Sequence, residues 1–387
     1  MVKRKIQKEL RTLAREFPIV AVLGPRQSGK TTVARAVFND FDYYSFEDPD
    51  IRTLAREDPR AFLEQHPRNV IFDEVQRIPE FISYLQSHAD NADRPGRIII
   101  TGSQNYLLME NITQSLAGRV GIATLLPFST GELLPIKKYA LPLEEYIVTG
   151  GYPRIYDKNI RPVSFFRTYV NTYIEKDVRS LRNIVNYDDF VRFVGILAGR
   201  TGQVLNTLAI SDDCGISHNT VKQWLSVLET GYIIHRLWPY HKNYNKRLIK
   251  NPKIYFYDTG LVCYLLGIHS VEAFNTHYYR GPIFETFILS ELMKYTYNTN
   301  RSCRFYFWRD NHQKETDLIV EKGTERITAE VKSGKTVQPR FFQALEYWQK
   351  LSGDGPAGQY LIYGGTDDHE RHGIKILGWQ NSTRILQ

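Results

Sequence analysis

The segment Gly24-Pro-Arg-Gln-Ser-Gly-Lys-Thr31 fits the pattern G-x-x-x-x-G-K-[ST] at every position. It follows the apolar run Ile19-Val-Ala-Val-Leu23, which predicts a buried strand, and a helix is predicted from Thr31 through Phe38. The glycines let backbone N–H groups turn inward around phosphate oxygens, and the following helix adds its positive N-terminal end. This context favours a phosphate-binding loop over a glycine turn that has no ligand.

The chemistry of such a loop assigns roles to its residues. Lys30 is placed to reach the β- and γ-phosphates of ATP, and Thr31 is placed to bind Mg²⁺. The other expected nucleotide contacts are the remaining loop residues and the next residue along the chain: Gly24, Pro25, Arg26, Gln27, Ser28, Gly29 and Thr32. ATP and Mg²⁺ are therefore the predicted ligands.

An acidic pair follows the next predicted strand. Asp73 and Glu74 come directly after Val70-Ile-Phe72, so both carboxylates leave the end of a buried strand. Asp73 is predicted to hold Mg²⁺, directly or through water, and Glu74 to polarise the attacking water as a general base. Taken without the phosphate loop, the pair would be read as strand-end charges facing solvent.

Polar residues also follow a further predicted strand, Ile98-Ile-Ile100. Ser103 and Gln104 are candidates for contact with the γ-phosphate or the attacking water, and ordinary turn polarity is the alternative. Arg119 is a candidate for stabilising charge on the leaving phosphate, although a solvated or paired arginine is the common case. The alternation of buried strands with helices predicts a parallel sheet covered by helices.

These motifs resemble a family of prokaryotic AAA+-type ATPases whose members carry a C-terminal domain of unknown function. The resemblance covers nearly the whole chain and implies an AAA+-like fold with ATP hydrolysis. It also implies a homo-oligomer, with Arg119 acting on the site of a neighbouring subunit. The matching segments are Leu-Gly-Pro-Arg-Gln-Ser-Gly-Lys-Thr-Thr32, Phe-Asp-Glu-Val-Gln76, Thr-Gly-Ser-Gln104, Leu-Ala-Gly-Arg-Val120, Pro127-Phe-Ser129, Gly-Gly-Tyr-Pro153 and Tyr-Phe-Tyr-Asp-Thr-Gly-Leu261.

Residues 204–240 predict a helix-turn-helix followed by a wing. Gly215-Ile-Ser217 is the predicted turn, and its serine caps a helix over His218 to Glu229. The outward face of this helix suits contact with DNA and consists of His218, Asn219, Lys222, Gln223 and Ser226. Asp212 and Asp213 count against DNA, and a protein-contact or lid module is the alternative.

The C-terminal part carries a pattern of acids and a lysine. Asp317 opens one predicted strand, and Glu330 and Lys332 share a face of the next strand. Asp317 and Glu330 are predicted to hold a divalent cation, with Lys332 near the attacking water or the phosphate, as metal-assisted phosphodiester hydrolysis requires. The arrangement resembles the PD-(D/E)xK nuclease fold, with Glu285 as the helical acidic metal ligand. A solvated charge pair, or a site kept for binding alone, is the alternative.

Composition bounds the remaining classes of function. The net charge of +8 over 387 residues is compatible with double-stranded DNA as a partner. Cys214, Cys263 and Cys303 lie far apart and predict no disulfide framework or metal site, which suits a reducing compartment. A charged N-terminus and the lack of a long apolar run predict a cytoplasmic protein with no membrane partner.

The predicted architecture is α/β with four parts. They are an AAA+-like P-loop ATPase core (1–130), a helical lid or linker (131–185), a winged-helix module (186–240) and a restriction-endonuclease-like α/β domain (241–387). The predicted function is Mg²⁺-dependent ATP hydrolysis that controls a DNA-contacting, nuclease-like half. The alternative is an ATP-dependent switch whose silent nuclease fold binds a protein partner. A small-molecule kinase is disfavoured, because Asp73-Glu74 favours water as the acceptor.

Overall fold

The computed structural model describes residues 2–66, 69–90, 95–103, 112, 115–174, 187–240, 250–353 and 358–387. Its N-terminal strands are β1 (Ile19–Gly24), β2 (Asp42–Ser45), β3 (Val70–Asp73), β4 (Ile98–Ser103) and β5 (Val120–Thr124). They pair in parallel, in the order β2-β3-β4-β1-β5. The predicted parallel sheet is therefore confirmed.

The register of this sheet decides which residues meet. Gly24, at the end of β1, lies opposite Ser103, and Asp73, at the end of β3, lies opposite Ser45. Ile19, at the other end of β1, lies opposite Val120. The carboxyl ends of the strands thus share one edge, which is where open α/β sheets bind ligands.

Helices cover both faces of the sheet. They are α1 (Gln7–Glu16), α2 (Lys30–Val37), α3 (Pro49–Glu57), α4 (Pro59–Gln65) and α5 (Phe81–Asp90). On one face, the rings of Phe46 and Phe81 lie 5.0 Å apart between centroids. On the other face, Val20 and Val22 pack in a cluster with Leu10 of α1. Burial on both faces explains why β1 is apolar at every position rather than alternating.

The middle of the chain is helical, as the sequence predicts. Its helices are α6 (Thr130–Leu133), α7 (Leu143–Thr149), α8 (Pro153–Asp157), α9 (Pro162–Tyr169), α10 (Tyr187–Ala198), α11 (Thr207–Cys214) and α12 (His218–Thr230). Gly215 takes a left-handed φ of 67° between α11 and α12, and the Ser217 side chain accepts a hydrogen bond from the Thr220 N–H. Helix, turn and capped helix therefore lie where they are predicted.

The C-terminal sheet is mixed and begins earlier than predicted. Its strands are β6 (Ile234–Pro239), β7 (Lys253–Phe256), β8 (Cys303–Arg309), β9 (Glu315–Lys322), β10 (Glu325–Lys332), β11 (Gln359–Tyr363), β12 (His369–Arg371) and β13 (Ile374–Gly378), in the order β12-β13-β11-β10-β9-β8-β6-β7. The strand expected to form a wing, β6, pairs with β7 and also with β8. The predicted boundary at residue 240 therefore falls inside this sheet.

Further helices pack on this sheet: α13 (Thr259–Leu265), α14 (Val271–Thr276), α15 (Arg280–Thr299) and α16 (Gln343–Ser352). Short 3₁₀ helices cover Val75–Arg77, Lys137–Tyr139, Pro339–Phe342 and Trp379–Leu386. The long helix α15 also contacts the middle of the chain, because Glu291 accepts hydrogen bonds from Thr130. Among the helices in the described ranges, none is long and apolar enough to cross a membrane.

Candidate nucleotide site and C-terminal acidic cluster

The loop between β1 and α2 has a backbone that only glycine suits at two places. At Gly24, φ is +147°, and an added Cβ would lie 2.2 Å from the carbonyl oxygen of Leu125. At Gly29, φ is +92° where α2 begins, which is again in the region that side chains rarely adopt. Both glycines of the motif are therefore required by the turn itself, and the loop leads directly into a helix N-terminus.

Lys30 lies inside this loop. Its side chain is buried, and Nζ donates to the carbonyl oxygens of Pro25 (2.9 Å) and Gly24 (3.3 Å). Ser28 is also fully buried, and its Oγ makes no hydrogen bond to any of the residues that the structure describes. A buried ammonium and an unsatisfied buried hydroxyl in one loop suit an anionic ligand that supplies acceptors. These residues fit the phosphates of ATP.

Asp73 accepts hydroxyl hydrogen bonds from three different elements in the described part of the chain. Thr31 Oγ1, on the first turn of α2, donates to Oδ1 at 2.8 Å, and Thr101 of β4 donates to the same oxygen. Tyr43 of β2 donates its phenol to Oδ2 at 2.8 Å. Burial, followed by the Asp73 charge, raises the pKa of Tyr43 to about 12, so the phenol stays a donor. The predicted Mg²⁺ residues Thr31 and Asp73 are thus brought together, with oxygen donors that suit this ion.

Glu74 is oriented by an unusual backbone. Its φ of 58° and ψ of 45° are left-handed, which costs energy for a residue with a side chain. Its N–H points toward Thr101 Oγ1 at 3.4 Å, and its carboxylate accepts a hydrogen bond from Gln76. The side chain is only partly buried and lies next to Asp73. This geometry leaves Glu74 partly exposed at the ligand-binding edge, where a general base for the attacking water would have to lie.

Replacing Tyr43 with phenylalanine is expected to raise the Mg²⁺ concentration for half-maximal ATP hydrolysis about tenfold. The reason is that Asp73 Oδ2 loses the donor that orients it, while the aromatic ring stays. A Mg²⁺ titration at fixed ATP measures the effect. Tyr44→Phe is the matched control, because this neighbouring ring packs on Phe62. Equal Mg²⁺ requirements in the two variants would contradict the assignment.

The remaining predicted nucleotide residues are placed unequally. Ser103 is buried and lies opposite Gly24 at the ligand-binding edge. Pro25 is buried in the loop, whereas Arg26 and Gln27 are partly exposed and Thr32 is exposed on α2. Gln104 lies outside the described residues.

Arg119 lies at the opposite edge of the sheet. Its carbonyl accepts from the N–H of Ile19, so it precedes β5 beside the start of β1. The length of β1 separates it from the P-loop by about 17 Å at 3.3 Å per residue. Its guanidinium forms a forked ion pair with Asp90, with Nη2 and Oδ2 3.1 Å apart. The structure therefore does not bring Arg119 to the P-loop of its own chain.

Sequence reasoning missed a buried arginine beneath the P-loop. Arg4 is 6% exposed and donates to the carbonyl oxygens of Ser28 (2.9 Å) and Leu126 (2.6 Å). A Cβ at Gly29 would lie 3.8 Å from Arg4 Nη1 and 3.9 Å from Pro153, so the Gly-Gly-Tyr-Pro segment also reaches the loop. In the sequence, the apolar residues Val2 and Ile6 on either side of Arg4 were a weak signal, because the segment otherwise reads as the charged start of a helix.

In the C-terminal part, Asp317, Glu330 and Lys332 do meet. Lys332 Nζ lies 3.1 Å from Asp317 Oδ2 and also contacts Glu330, and the Val331 N–H donates to Asp317 at 2.9 Å. Burial would raise the pKa of Asp317, but the charges of Lys332 and Lys253 lower it overall. Burial, and then the Asp317 charge, raise the pKa of Glu330 well above its usual value. The two acids therefore share the positive charge of one lysine.

Glu285 has different partners. Its Oε1 lies 3.2 Å from Nζ of the buried Lys253 and accepts a hydrogen bond from Tyr255. Burial raises the pKa of Glu285 to about 7. Within the described residues, no group of three Asp, Glu, His or Cys side chains is arranged to hold a metal ion. Asp317 and Glu330 therefore meet at Lys332, whereas Glu285, the third predicted metal ligand, pairs with Lys253.

The outward face of α12 is largely as predicted. Asn219, Lys222, Gln223 and Ser226 are exposed, while Val221, Trp224, Leu225 and Leu228 are buried. His218 differs, because its Nε2 lies 2.8 Å from the hydroxyl of Thr207 on α11. Asp213 forms an ion pair with Arg200, so its charge near the turn is compensated.

Comparison with known proteins divides the chain into three matched segments. Residues 16–134 match the model of a family described as an AAA domain. Residues 141–272 and 280–381 match two further families, each described as a domain of unknown function. The comparisons therefore bear on the N-terminal part of the prediction and leave the nuclease-like and DNA-contacting parts untested.

Similar proteins extend over most of the chain. An uncharacterized protein of Mycobacterium tuberculosis is 28% identical over 339 residues, which are 86% of this chain and 74% of that protein. An uncharacterized protein of Methanocaldococcus jannaschii is 24% identical over 360 residues, covering 85% and 78%. The Walker-type ATPase PABY2304 of Pyrococcus abyssi superposes with a TM-score of 0.47 at 15% identity, covering 68% of this chain and 96% of that one. The match over residues 16–134, together with the P-loop geometry, supports an AAA-type ATPase domain in this chain.

Proposed function

We propose that this chain binds ATP with Mg²⁺ and hydrolyses it, and that its nucleotide state controls a C-terminal half that contacts DNA. One observation carries the ATPase part: the hydrogen bond of 2.8 Å between Thr31 Oγ1 and Asp73 Oδ1. It joins the last residue of the P-loop motif to the acidic strand end, as a shared Mg²⁺ site requires. The AAA domain match over residues 16–134 supports the same conclusion.

The residues of the site have distinct tasks in this reaction. Lys30 moves its ammonium from the loop carbonyls to the β- and γ-phosphates, where it offsets developing negative charge. Thr31 and Asp73 hold Mg²⁺, which when bound neutralises charge on the phosphate oxygens. Glu74 accepts a proton from the attacking water. Ser103, opposite Gly24 in the sheet, is proposed to contact the γ-phosphate.

For the C-terminal half, the proposal is a nuclease-like site that acts on DNA. Asp317 and Glu330 lie on the adjacent strands β9 and β10, and Lys332 bridges them. The Oε2 atom of Glu330 is buried and has no hydrogen-bond partner in the described part of the chain. The exposed amides and lysine of α12 offer a second contact surface for DNA.

The alternative is a nucleotide-dependent switch whose C-terminal half binds a protein and cleaves nothing. The pairing of Glu285 with Lys253 favours this alternative, because a buried lysine supplies the positive charge that a metal ion would otherwise bring. Breaking such a buried pair is costly, so a metal ion that displaced Lys253 from Glu285 would bind less favourably.

Double-stranded DNA is expected to raise steady-state ATP hydrolysis several-fold, because a bound effector favours the state it binds more tightly. Hydrolysis is measured with and without DNA, and cleavage of the same DNA is followed on gels. Asp317→Asn is expected to abolish cleavage, with Asp367→Asn, an aspartate outside the cluster, as control. Hydrolysis that ignores DNA, with no cleavage by the wild type, would contradict the proposal and favour the protein-binding switch.

We also propose that the chain forms a homo-oligomer in which Arg119 acts on the neighbour's nucleotide. Its position at the edge opposite the P-loop supports this role, since it cannot reach its own site. ATP is expected to increase the mass measured by light scattering, and Arg119→Ala to lower hydrolysis without lowering ATP affinity. A monomer with and without ATP would contradict the proposal.

A further inference from the structure

The buried side chain of Arg4 occupies the space between the P-loop and the middle of the chain. Nη1 donates to Ser28, Nη2 to Leu126 and Nε to Glu132 Oε1, at 2.9, 2.6 and 2.9 Å. The guanidinium also lies 4.7 Å above the ring of Phe128. The three nitrogens of the planar guanidinium thus donate to three different residues. A shift of the Ser28 carbonyl would therefore also disturb the contacts to Leu126 and Glu132.

Glu132, a residue of α6, is the ion-pair partner of Arg4. Its Oε1 also accepts from the Lys5 N–H at 2.8 Å, and its Oε2 accepts from the Ser129 N–H and hydroxyl at 2.9 and 3.2 Å. Burial would raise the pKa of Glu132, but the Arg4 charge and these hydrogen bonds lower it. Arg4 and Glu132 therefore form an ionised pair away from solvent.

Thr130, the first residue of α6, contacts the C-terminal half of the chain. Its N–H and its hydroxyl both donate to Glu291 Oε2, at 2.8 and 2.6 Å. The other oxygen of Glu291 pairs with Lys294 at 3.0 Å, and both side chains are buried in α15. Glu285 lies six residues earlier in α15, about 9 Å along the helix axis. Polar contacts thus run from the P-loop through α6 to Glu291 and Lys294 of α15, the helix that also carries Glu285.

Buried charges of this kind are costly unless every partner is satisfied. The set Arg4, Glu132, Thr130 and Glu291 could be replaced by apolar packing if it served stability alone. It instead joins the carbonyl of a phosphate-binding residue to the helix that carries Glu285. Hydrogen bonds weaken steeply when their distance or angle changes, so a small shift of the loop alters these contacts.

We propose that Arg4 is a positioning residue of the P-loop and that it couples nucleotide binding to helix α15 through Glu132, Thr130 and Glu291. This inference rests on the proposed ATP binding. It adds the residues through which the nucleotide site influences the C-terminal half. In the nucleotide-bound protein, movement of the Ser28 carbonyl alters the Arg4 fork, and α6 transmits the change to Glu291.

The test combines nucleotide affinity with hydrogen exchange of α15. A non-hydrolysable ATP analogue with Mg²⁺ is titrated into the full chain, and exchange over residues 280–299 is compared with and without it. The wild type is expected to show altered exchange in α15. Thr130→Val and Glu291→Gln are expected to bind the analogue within about threefold of wild type, yet to lose at least half of the exchange response. Lys3→Gln, an exposed change one residue from Arg4, is the control that keeps both.

Arg4→Lys adds a kinetic readout. It keeps the charge but not the fork, so the apparent KM for ATP is expected to rise about tenfold while kcat changes less than threefold. If Glu291→Gln does not fold, Thr130→Val still decides the matter, because it keeps both charges. The coupling is overturned if the analogue binds but α15 exchange is unchanged in the wild type, or if both variants respond as the wild type does. Failure of the analogue to bind the wild type would instead overturn the proposed function itself.

Discussion

Lys30→Ala is expected to lower kcat for ATP hydrolysis by roughly 10³-fold, because one fixed donor at the developing charge is removed. The ammonium already lies inside the loop, 2.9 Å from the Pro25 carbonyl oxygen. Affinity for ATP is expected to fall as well, since Lys30 contacts phosphates in the ground state too. Steady-state hydrolysis and fluorescent-nucleotide binding measure the two effects.

Lys8→Ala is the matched control for this experiment. Lys8 is an exposed lysine on α1, and its replacement makes the same change of charge and composition. It is expected to keep wild-type hydrolysis. If Lys30→Ala retained more than a tenth of the wild-type rate, the P-loop would not be the site of hydrolysis.

Glu74→Gln is expected to separate binding from chemistry. Loss of a general base slows a reaction by about 10²- to 10⁴-fold. Binding is expected to persist, because Lys30, Thr31 and Asp73 keep their contacts. The left-handed backbone of Glu74 already directs its carboxylate to the ligand edge, and glutamine can occupy the same position without accepting a proton. Single-turnover hydrolysis, together with nucleotide binding, measures both quantities.

Glu57→Gln, an exposed change at the end of α3, is the control for Glu74. Equal losses of binding and hydrolysis in Glu74→Gln would show that the residue maintains the site instead of activating water. Nearly normal hydrolysis would exclude Glu74 as the base and leave the attacking water to another group. Either result would leave the assignment of Lys30 intact, because Lys30→Ala tests that residue in a separate variant.

The local elements were predictable because each has a short-range cause. The runs Val70-Ile-Phe72 and Ile98-Ile-Ile100 are apolar on both faces, and they form β3 and β4. Both strands begin where they are predicted, and they end at Asp73 and Ser103. Gly215 ends the first helix of the pair because it adopts a left-handed backbone, and Ser217 caps the start of the second helix with its side chain. The helix, turn and helix therefore appear where the sequence places them.

Pairing between distant segments was not predictable in the same way. β6 reads locally as the strand of a wing, yet Trp238 pairs with Tyr306, which lies 68 positions later (306 − 238) in the chain. Nothing in the sequence near Lys253 indicates that it pairs with Glu285. Their ion pair forms because β7 packs beside α15. Glu285, which is predicted to bind a metal ion, therefore has a lysine partner that the spacing of the acids did not indicate.

The sequence by itself determined the phosphate loop, the acidic strand end and the parallel sheet that joins them. Those features follow from backbone freedom at two glycines and from the burial pattern of single strands, both of which are properties of neighbouring residues. Only the tertiary structure decided that Arg119 lies away from its own P-loop, that Arg4 lies beneath it, and that lysines hold the C-terminal carboxylates. These depend on strand order and on packing between segments separated by tens to hundreds of residues, which no local pattern records.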